Sequence, residues 1–431
     1  MSFKHRLTVA AGKFVSWTSK TFHLGAGATW PGEIALMMSP HILGEFGTHI
    51  TDGIILVAGT NGKTTTSLMI KTILEKEGKS VVHNKSGANL LNGVVSACIE
   101  HTTRGGRVNG DFGVFEIDEN SLPIVMRYIA PKFIVILNLF RDQLDRYGEV
   151  DVIAEKWQKA LRTIDERTTL ILNADDPLVS SLAKDVKAKV KYFGLDDPSL
   201  AAPKMEHATD STFCLFCGAR LSYKVNYFSH IGEWFCSVCG ETRPKLDLSS
   251  WQSPLPGLYN RYNTLAAVLT ARECHITDDH ITTALTGFAP AFGRQEEFAV
   301  ADKKIKVFLS KNPAGFNASL RTVLESKPAA ILFALNDRIP DGRDVSWIWD
   351  VDFETVPKNV EVVVTGDRVY DMAIRVQYSA GEMRKPHVEP DLRHAIKQGL
   401  QLTPQGGILY VLSTYSAMLE VRKIVGGRKI L

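Results

Sequence analysis

Residues 54–65 read Ile54-Ile55-Leu56-Val57-Ala58-Gly59-Thr60-Asn61-Gly62-Lys63-Thr64-Thr65. The five apolar residues, rich in β-branched types, predict a buried strand. The glycine-bearing turn lets backbone N–H groups approach phosphate oxygens. Thr64 to Glu77 reads as a helix, whose N-terminus adds favourable partial positive charge. In that setting Lys63 is expected at the β- and γ-phosphates of a nucleotide, and the Thr64 hydroxyl on Mg²⁺. A chance Gly-Lys-Thr would lack this strand–loop–helix order.

Outward from the loop, short apolar runs alternate with helical stretches. Ser80–His83, Val114–Ile117, Phe133–Leu137, Leu170–Asn173 and Val190–Phe193 read as strands. That alternation predicts an α/β domain with a mainly parallel sheet. The pattern breaks between about Pro203 and Leu248. Helices return at Tyr262–Cys274 and His280–Phe288. A second α/β series follows at Val307–Leu309, Ala330–Leu335, Val360–Thr365 and Gly407–Leu412. The expected division is a basic segment 1–50, an ATP-binding domain 51–298 with an insertion at about 203–248, and a C-terminal Rossmann-like α/β domain 299–431.

The irregular insertion holds Cys214-x2-Cys217 and, 18 residues on, Cys236-x2-Cys239. This is the spacing of a four-cysteine zinc ribbon, with Gly218 and Gly240 closing the two turns. Four thiolates leave no open position on Zn²⁺, so the expected role is structural. Cys98 and Cys274 sit in apolar helical contexts and read as core residues.

The 431 residues carry 50 Lys+Arg against 47 Asp+Glu, with 45% hydrophobic content. The near balance of charge gives no pull toward nucleic acid, and no apolar run is long enough to span a membrane. The N-terminus is different, with Lys4, Arg6, Lys13 and Lys20 and no acid before Glu33. Phe3, Leu7, Ala10, Phe14 and Trp17 fall on one helical face, with Arg6, Lys13 and Lys20 on another. Two readings stay open: a helix packed on its own domain, or one resting on an anionic membrane surface. Lacking a signal-peptide pattern, the chain is expected in the cytoplasm, and the second reading of the helix would put it at the inner face of the membrane.

The loop Gly59–Thr65 is shorter than that of most nucleotide hydrolases and resembles the loop of the Mur ligase and folylpolyglutamate synthase superfamily. Further matches follow in order. Glu116 resembles the superfamily's Mg²⁺-binding glutamate. Asn138 to Gly148 resembles the motif after the next strand, with Gln143 where a histidine is usual. Leu172–Pro177 is similar to a family turn, Asn260 and Asn263 to the paired asparagines near the nucleotide, and Gly293-Arg294 to the pair before the last domain. Lys311 stands where a histidine often precedes Asn-Pro. The carboxylated lysine of some members has no clear counterpart; Lys156 and Lys159 lie nearby.

Asn84–Gly93, Lys311–Ser319 and Leu335–Asp350, together with the cysteine insertion, make the whole chain resemble the ligase-like subunits of the lipid II isoglutaminyl synthases of Gram-positive bacteria. The resemblance implies an ATP-dependent carbon–nitrogen ligase with glutamine as amide donor. It would phosphorylate the D-glutamate α-carboxyl of lipid II, and ammonia would displace phosphate to give D-isoglutamine. It also implies a class I glutaminase partner of the GatD type, to whose cysteine and histidine Asp344 would add the orienting carboxylate. The alternatives are an amino-acid-adding Mur ligase or folylpolyglutamate synthase-like enzyme, against which Lys311 and the cysteine insertion count, and a non-catalytic nucleotide-binding scaffold.

Overall fold

The structure is a computed structural model. It describes residues 3–22, 29–84, 87–141, 150–203, 205–207, 209–289, 294–379 and 385–426. The segment 142–149, with Asp142, Gln143 and Gly148, lies outside the described residues, as does Gly293.

Strands β1 (Gly53–Ala58), β2 (Val81–His83), β3 (Phe112–Glu116), β4 (Phe133–Ile136), β5 (Thr169–Asn173) and β6 (Lys189–Phe193) form one sheet. Their order is β2-β3-β1-β4-β5-β6, and every pair is parallel. Helices cover both faces, so the central strands are buried on both sides and read as unbroken apolar runs. Along β1, Ile54, Leu56 and Ala58 pack toward helix Leu91–Glu100, while Ile55 and Val57 pack toward helices Lys63–Lys76 and Leu258–Glu273.

The order reverses at β1, which lies between β3 and β4. In such sheets a crevice opens beyond the carboxyl ends of the strands at the reversal, and ligands bind there. The turn after β1, the end of β3 and the turn after β4 therefore converge.

A second sheet joins β9 (Arg294–Val300), β10 (Lys303–Leu309), β11 (Ala330–Ala334), β12 (Glu361–Thr365), β13 (His387–Val388) and β14 (Ile408–Ser413) in the order β13-β12-β11-β14-β10-β9. It is parallel except for β9, which is antiparallel to β10. The change of domain expected after residue 298 thus falls within a strand, and the second sheet begins at Arg294. Its sequence, Arg-Gln-Glu-Glu-Phe-Ala-Val, is too polar to announce a strand. It lies at a sheet edge, where Glu296 is held by Arg422 and Glu297 by Lys304.

The insertion forms an antiparallel hairpin of β7 (Ser222–Phe228) and β8 (Ile231–Phe235).

The N-terminal helix Phe3–Thr21 lies on helix Trp30–Met38, which lies on helix Leu91–Glu100. It turns His5, Thr8, Val9, Gly12 and Ser16 inward. Close approach requires glycine: a Cβ on Gly12 would stand 2.7 Å from Ile99, and one on Gly32 would collide with the Asn92 carbonyl. The apolar stripe faces away. Phe3 is 83% exposed, Leu7 51%, Phe14 62% and Trp17 59%. The helix does pack on its own domain, but through its small and polar side. No helix among the described residues is long and apolar enough to cross a membrane.

Candidate functional site

The turn after β1 is held from β4. Asn138 accepts the Asn61 N–H through its side chain (2.8 Å), accepts the Thr60 N–H through its carbonyl (3.0 Å), and donates from Nδ2 to the Asn61 carbonyl (3.0 Å). The Thr60 hydroxyl donates to the Phe140 carbonyl and accepts the Phe140 N–H. Gly62 has φ +91°, and a Cβ there would lie 2.1 Å from Asn263 Oδ1. Conformation and space both demand glycine at that position.

Lys63 and Thr64 open helix Lys63–Lys76 and are buried, as is Thr65. Lys63 Nζ donates to the carbonyls of Gly59 (2.5 Å) and Thr60 (3.3 Å) and pairs with Glu119 (3.2 Å). The ammonium is thus held over the loop by partners that phosphate oxygens can replace.

Glu116 ends β3. Its Oε1 accepts the Gly87 N–H (3.2 Å), while Oε2 is buried with no hydrogen-bond partner among the described residues. Asn84 brackets the backbone of this residue, accepting its N–H (3.0 Å) and donating to its carbonyl (2.8 Å). A buried carboxylate oxygen without a partner is costly, and a hard cation is the chemistry that satisfies it. Glu116 therefore fits the Mg²⁺ ligand expected of it.

Asn260 and Asn263 lie on helix Leu258–Glu273 and bond to each other (3.1 Å), and Asn263 also accepts the Thr66 hydroxyl (3.4 Å). Both line a cleft together with Asn61, Gly62, Thr65 and Arg294. Burial lowers the Arg294 pKa, and the charge of Glu116 opposes that shift. From the second sheet's side, Asn312 caps helix Pro313–Glu325 through the Gly315 N–H (2.7 Å) and meets the Asn61 side chain. The structure thus gathers Asn61, Gly62 and Thr65 with Asn260, Asn263 and Arg294 around one cleft, while Lys63, Thr64 and Glu116 do not line it; the charge of Glu116 reaches it through Arg294.

Sequence reasoning missed two contributors. Glu119, three residues beyond Glu116, is the partner of Lys63. Phe228, from the hairpin, lines the cleft, and nothing in its local sequence signals that.

Asp175 lies behind the cleft. Its carboxylate accepts from Tyr262 (2.7 Å), the Leu195 N–H (2.8 Å) and Arg243 (3.0 Å). Burial nevertheless pushes its pKa up to about 6. Asp176 caps helix Pro177–Ser181 and accepts the Leu139 N–H (2.9 Å). The turn thus ties β4, β5 and the hairpin together. Lys156 meets Asn120 (3.3 Å) and Lys159 faces Glu155, both on an exposed helical surface.

The four cysteines form a second site. Their sulfurs lie within 4.8 Å of one another, with Cys214 and Cys239 3.5 Å apart and Cys217 and Cys236 3.5 Å apart. The two halves repeat one geometry. The Gly218 N–H donates to the Cys214 carbonyl and the Gly240 N–H to that of Cys236; both glycines have positive φ, +72° and +80°. Backbone N–H groups of Cys239 and Val238 hold the Cys236 thiol down, at about 6. Four converging sulfurs suit a tetrahedral thiophilic ion. The cluster's own apolar support is small, mainly Leu221 and Trp234.

Asp344 stands apart from the cleft, on the second sheet's side. It is exposed, with Oδ1 accepting the Ser346 N–H (2.8 Å), a bond that holds its pKa low. Five residues further along the chain Trp349 is exposed, its ring 5.9 Å from that of Tyr378, and Tyr370, Ile374 and Tyr378 are exposed on helix Val369–Ser379.

The sheet order, the phosphate loop and the orphan carboxylate define a Mur-type ligase. The Mur ligase middle domain family matches residues 57–271, and the MurT ligase C-terminal family matches residues 309–418. The subunit MurT of lipid II isoglutaminyl synthase (glutamine-hydrolyzing) from Streptococcus pneumoniae is 32% identical, covering 100% of this chain and 99% of that one. Its counterpart from Staphylococcus aureus is 34% identical over 83% of this chain and 84% of its own. The chain belongs to the MurT family. Among solved structures, a pseudomurein peptide ligase type C from Methanothermus fervidus shares the fold at TM-score 0.67 and 21% identity, covering 88% of this chain and 79% of that one. MurF ligase from Thermotoga maritima in complex with ADP does so at TM-score 0.61 and 15% identity, covering 91% and 84%.

Proposed function

We propose that this chain is the amidating subunit of a lipid II isoglutaminyl synthase. A carboxylate oxygen of the D-glutamate α-carboxyl attacks the γ-phosphorus of ATP, and ADP leaves. Ammonia then attacks the acyl carbon, phosphate leaves with the bonding electrons, and loss of a proton gives the amide of D-isoglutamine. The observation that carries this reading is the presence of both a buried lysine held over a phosphate loop and a buried Glu116 oxygen with no hydrogen-bond partner among the described residues.

The residues have distinct tasks. The loop N–H groups and Lys63 neutralise phosphate charge, Lys63 exchanging Glu119 for phosphate. Thr64 and Glu116 would hold Mg²⁺, which supplies further neutralisation of the transferring phosphoryl group. Asn260, Asn263 and Arg294 would position the nucleotide. Cys214, Cys217, Cys236 and Cys239 would hold Zn²⁺, whose contribution is to fold the ribbon. Lys63→Ala should abolish amidation in the presence of the partner; unaffected turnover would remove the catalytic reading.

Ammonia needs a source, and the reading assigns it to a class I glutaminase subunit. The exposed Asp344 carboxylate and the exposed ring pair of Trp349 and Tyr378 on the same domain suit such a partner. The lipid anchor of the substrate would bring the enzyme to the inner membrane face, and the outward stripe of helix Phe3–Thr21 suits that surface, with Lys4 and Arg6 beside it. Replacing Phe14 and Trp17 by serine should weaken sedimentation with phosphatidylglycerol vesicles. Equal binding by both proteins would exclude this contact.

A further inference from the structure

The turn of the β7–β8 hairpin does not point into solvent. Phe228, Ser229, His230 and Ile231 are all buried, although they join two strands of a small insertion. The cysteine knuckles sit at the open end of the hairpin, since Cys217 precedes β7 and Cys236 follows β8. The closed end enters the central domain.

Phe228 lies 6.2 Å from Phe140, stacked at 29°, and 5.7 Å from Tyr262, edge-on at 79°. Phe140 belongs to the turn that holds Thr60, and Tyr262 lies on the helix that carries Asn260 and Asn263. The guanidinium of Arg321, from helix Pro313–Glu325, is 5.8 Å from the Phe228 ring centre. The hairpin is tied down along its length. The Trp234 indole donates to the Ala174 carbonyl (2.9 Å), the Gly232 N–H to the Asp175 carbonyl (2.9 Å), and Arg243 to the Leu195 carbonyl (2.7 Å). The Tyr223 hydroxyl closes the hairpin on the His230 carbonyl (3.0 Å).

The cleft has a mixed lining, polar from Asn61, Thr65 and Arg294 and apolar from Phe228, Leu255 and Leu309. A nucleotide whose phosphates occupy the loop must place its base along the remainder of the cleft. Phe140, Tyr262 and Arg321 cover most of the Phe228 side chain, and the 8% left exposed borders the cleft, where it offers a purine an apolar aromatic contact.

We infer that the ribbon's turn forms a wall of the nucleotide-base pocket through Phe228, and that the four-cysteine cluster sets nucleotide affinity by fixing that turn. Phe228 is then a base-contacting residue and the cysteines are positioning residues. The inference rests on reading the cleft as the nucleotide site, and it gives the insertion a task beyond its own folding.

The test is calorimetric titration of the full chain with Mg·ADP and, separately, with magnesium tripolyphosphate. The second probe can use the loop but has no base. Phe228→Leu keeps most of the apolar volume and removes the ring. It should weaken Mg·ADP binding on the order of tenfold, the scale of one aromatic stack on a base, and leave tripolyphosphate binding unchanged. A double variant, Cys217→Ser with Cys239→Ser, should lose bound zinc by elemental analysis and shift the two affinities in the same unequal way. Thermal melting checks that both variants remain folded. Wild-type Mg·ADP affinity in Phe228→Leu, or equal losses for the two probes, overturns the base contact. A zinc-free double variant with unaltered Mg·ADP affinity overturns the link to the cysteines. If the unmodified chain bound neither probe, the nucleotide reading itself would fall, and this inference with it.

Discussion

Replacing Asp344 by asparagine separates the two half-reactions assigned to the complex. The side chain is exposed, and one oxygen accepts the Ser346 N–H at 2.8 Å. Asparagine keeps an oxygen in that position, so the turn should survive, with stability changing by less than about 0.5 kcal/mol, as for ordinary surface substitutions. What disappears is the negative charge. That Ser346 bond lowers the Asp344 pKa, so the carboxylate is ionised throughout the neutral range. An ionised acid accepting an imidazole N–H fixes the tautomer and stabilises the imidazolium as it forms. In serine proteases the same change costs about 10⁴-fold; a loss of about 10²- to 10⁴-fold is expected here. The assay is amidation by the assembled complex, run once with glutamine and once with ammonium chloride. Glutamine-dependent turnover should collapse while ammonia-dependent turnover stays near wild type. Equal losses in both would refute the triad role, because ammonia bypasses the glutaminase altogether.

Three further outcomes follow from the geometry. Glu116→Gln keeps the bond to the Gly87 N–H but removes the charge from the orphan oxygen, so phosphoryl transfer should fall by about 100-fold or more; a normal rate would move the cation elsewhere. Cys239→Ser alone should release zinc and lower the thermal midpoint, by roughly 2–4 °C per kcal/mol lost in a domain of this size; unaltered melting of metal-free protein would contradict the structural role. His83 is pushed down to about 4 by burial, with Lys71 adding to the shift. A base whose folded pKa lies below its unfolded 6.5 stabilises the fold above that value and loses the contribution as pH falls from 6.5 toward 4. The loss is about 3 kcal/mol for a shift of this size, so His83→Gln should flatten the acid limb of a stability–pH curve between those limits.

The strands of the first sheet were legible because burial on both faces makes them continuous apolar runs, and the phosphate loop because its chemistry is local in sequence. The four cysteines announced their cluster by spacing alone. Strand β9 escaped notice because an edge strand can carry the paired charges of Glu296 and Glu297 at little cost. The face of helix Phe3–Thr21 that packs inward was also hidden. Apolar periodicity predicts which residues share a face, not which way that face turns, and here glycine, serine and threonine face the protein. Phe228 was unreadable for a different reason. A hairpin turn normally faces water, and only the tertiary placement of the insertion against Phe140 and Tyr262 buries it. Glu119 illustrates the same limit, since its contact with Lys63 joins the ends of two separate strands.

The central claim concerns one chemical change on one substrate. The chain would be purified with a class I glutaminase partner and incubated with lipid II, Mg·ATP and glutamine. Mass spectrometry would then be read at the D-glutamate of the stem peptide. The account predicts a product about one dalton lighter, the difference between a carboxylic acid and its primary amide, formed together with ADP and phosphate and absent with Lys63→Ala. A product heavier by a whole amino acid, or ATP turnover that leaves the lipid II mass unaltered, would contradict it.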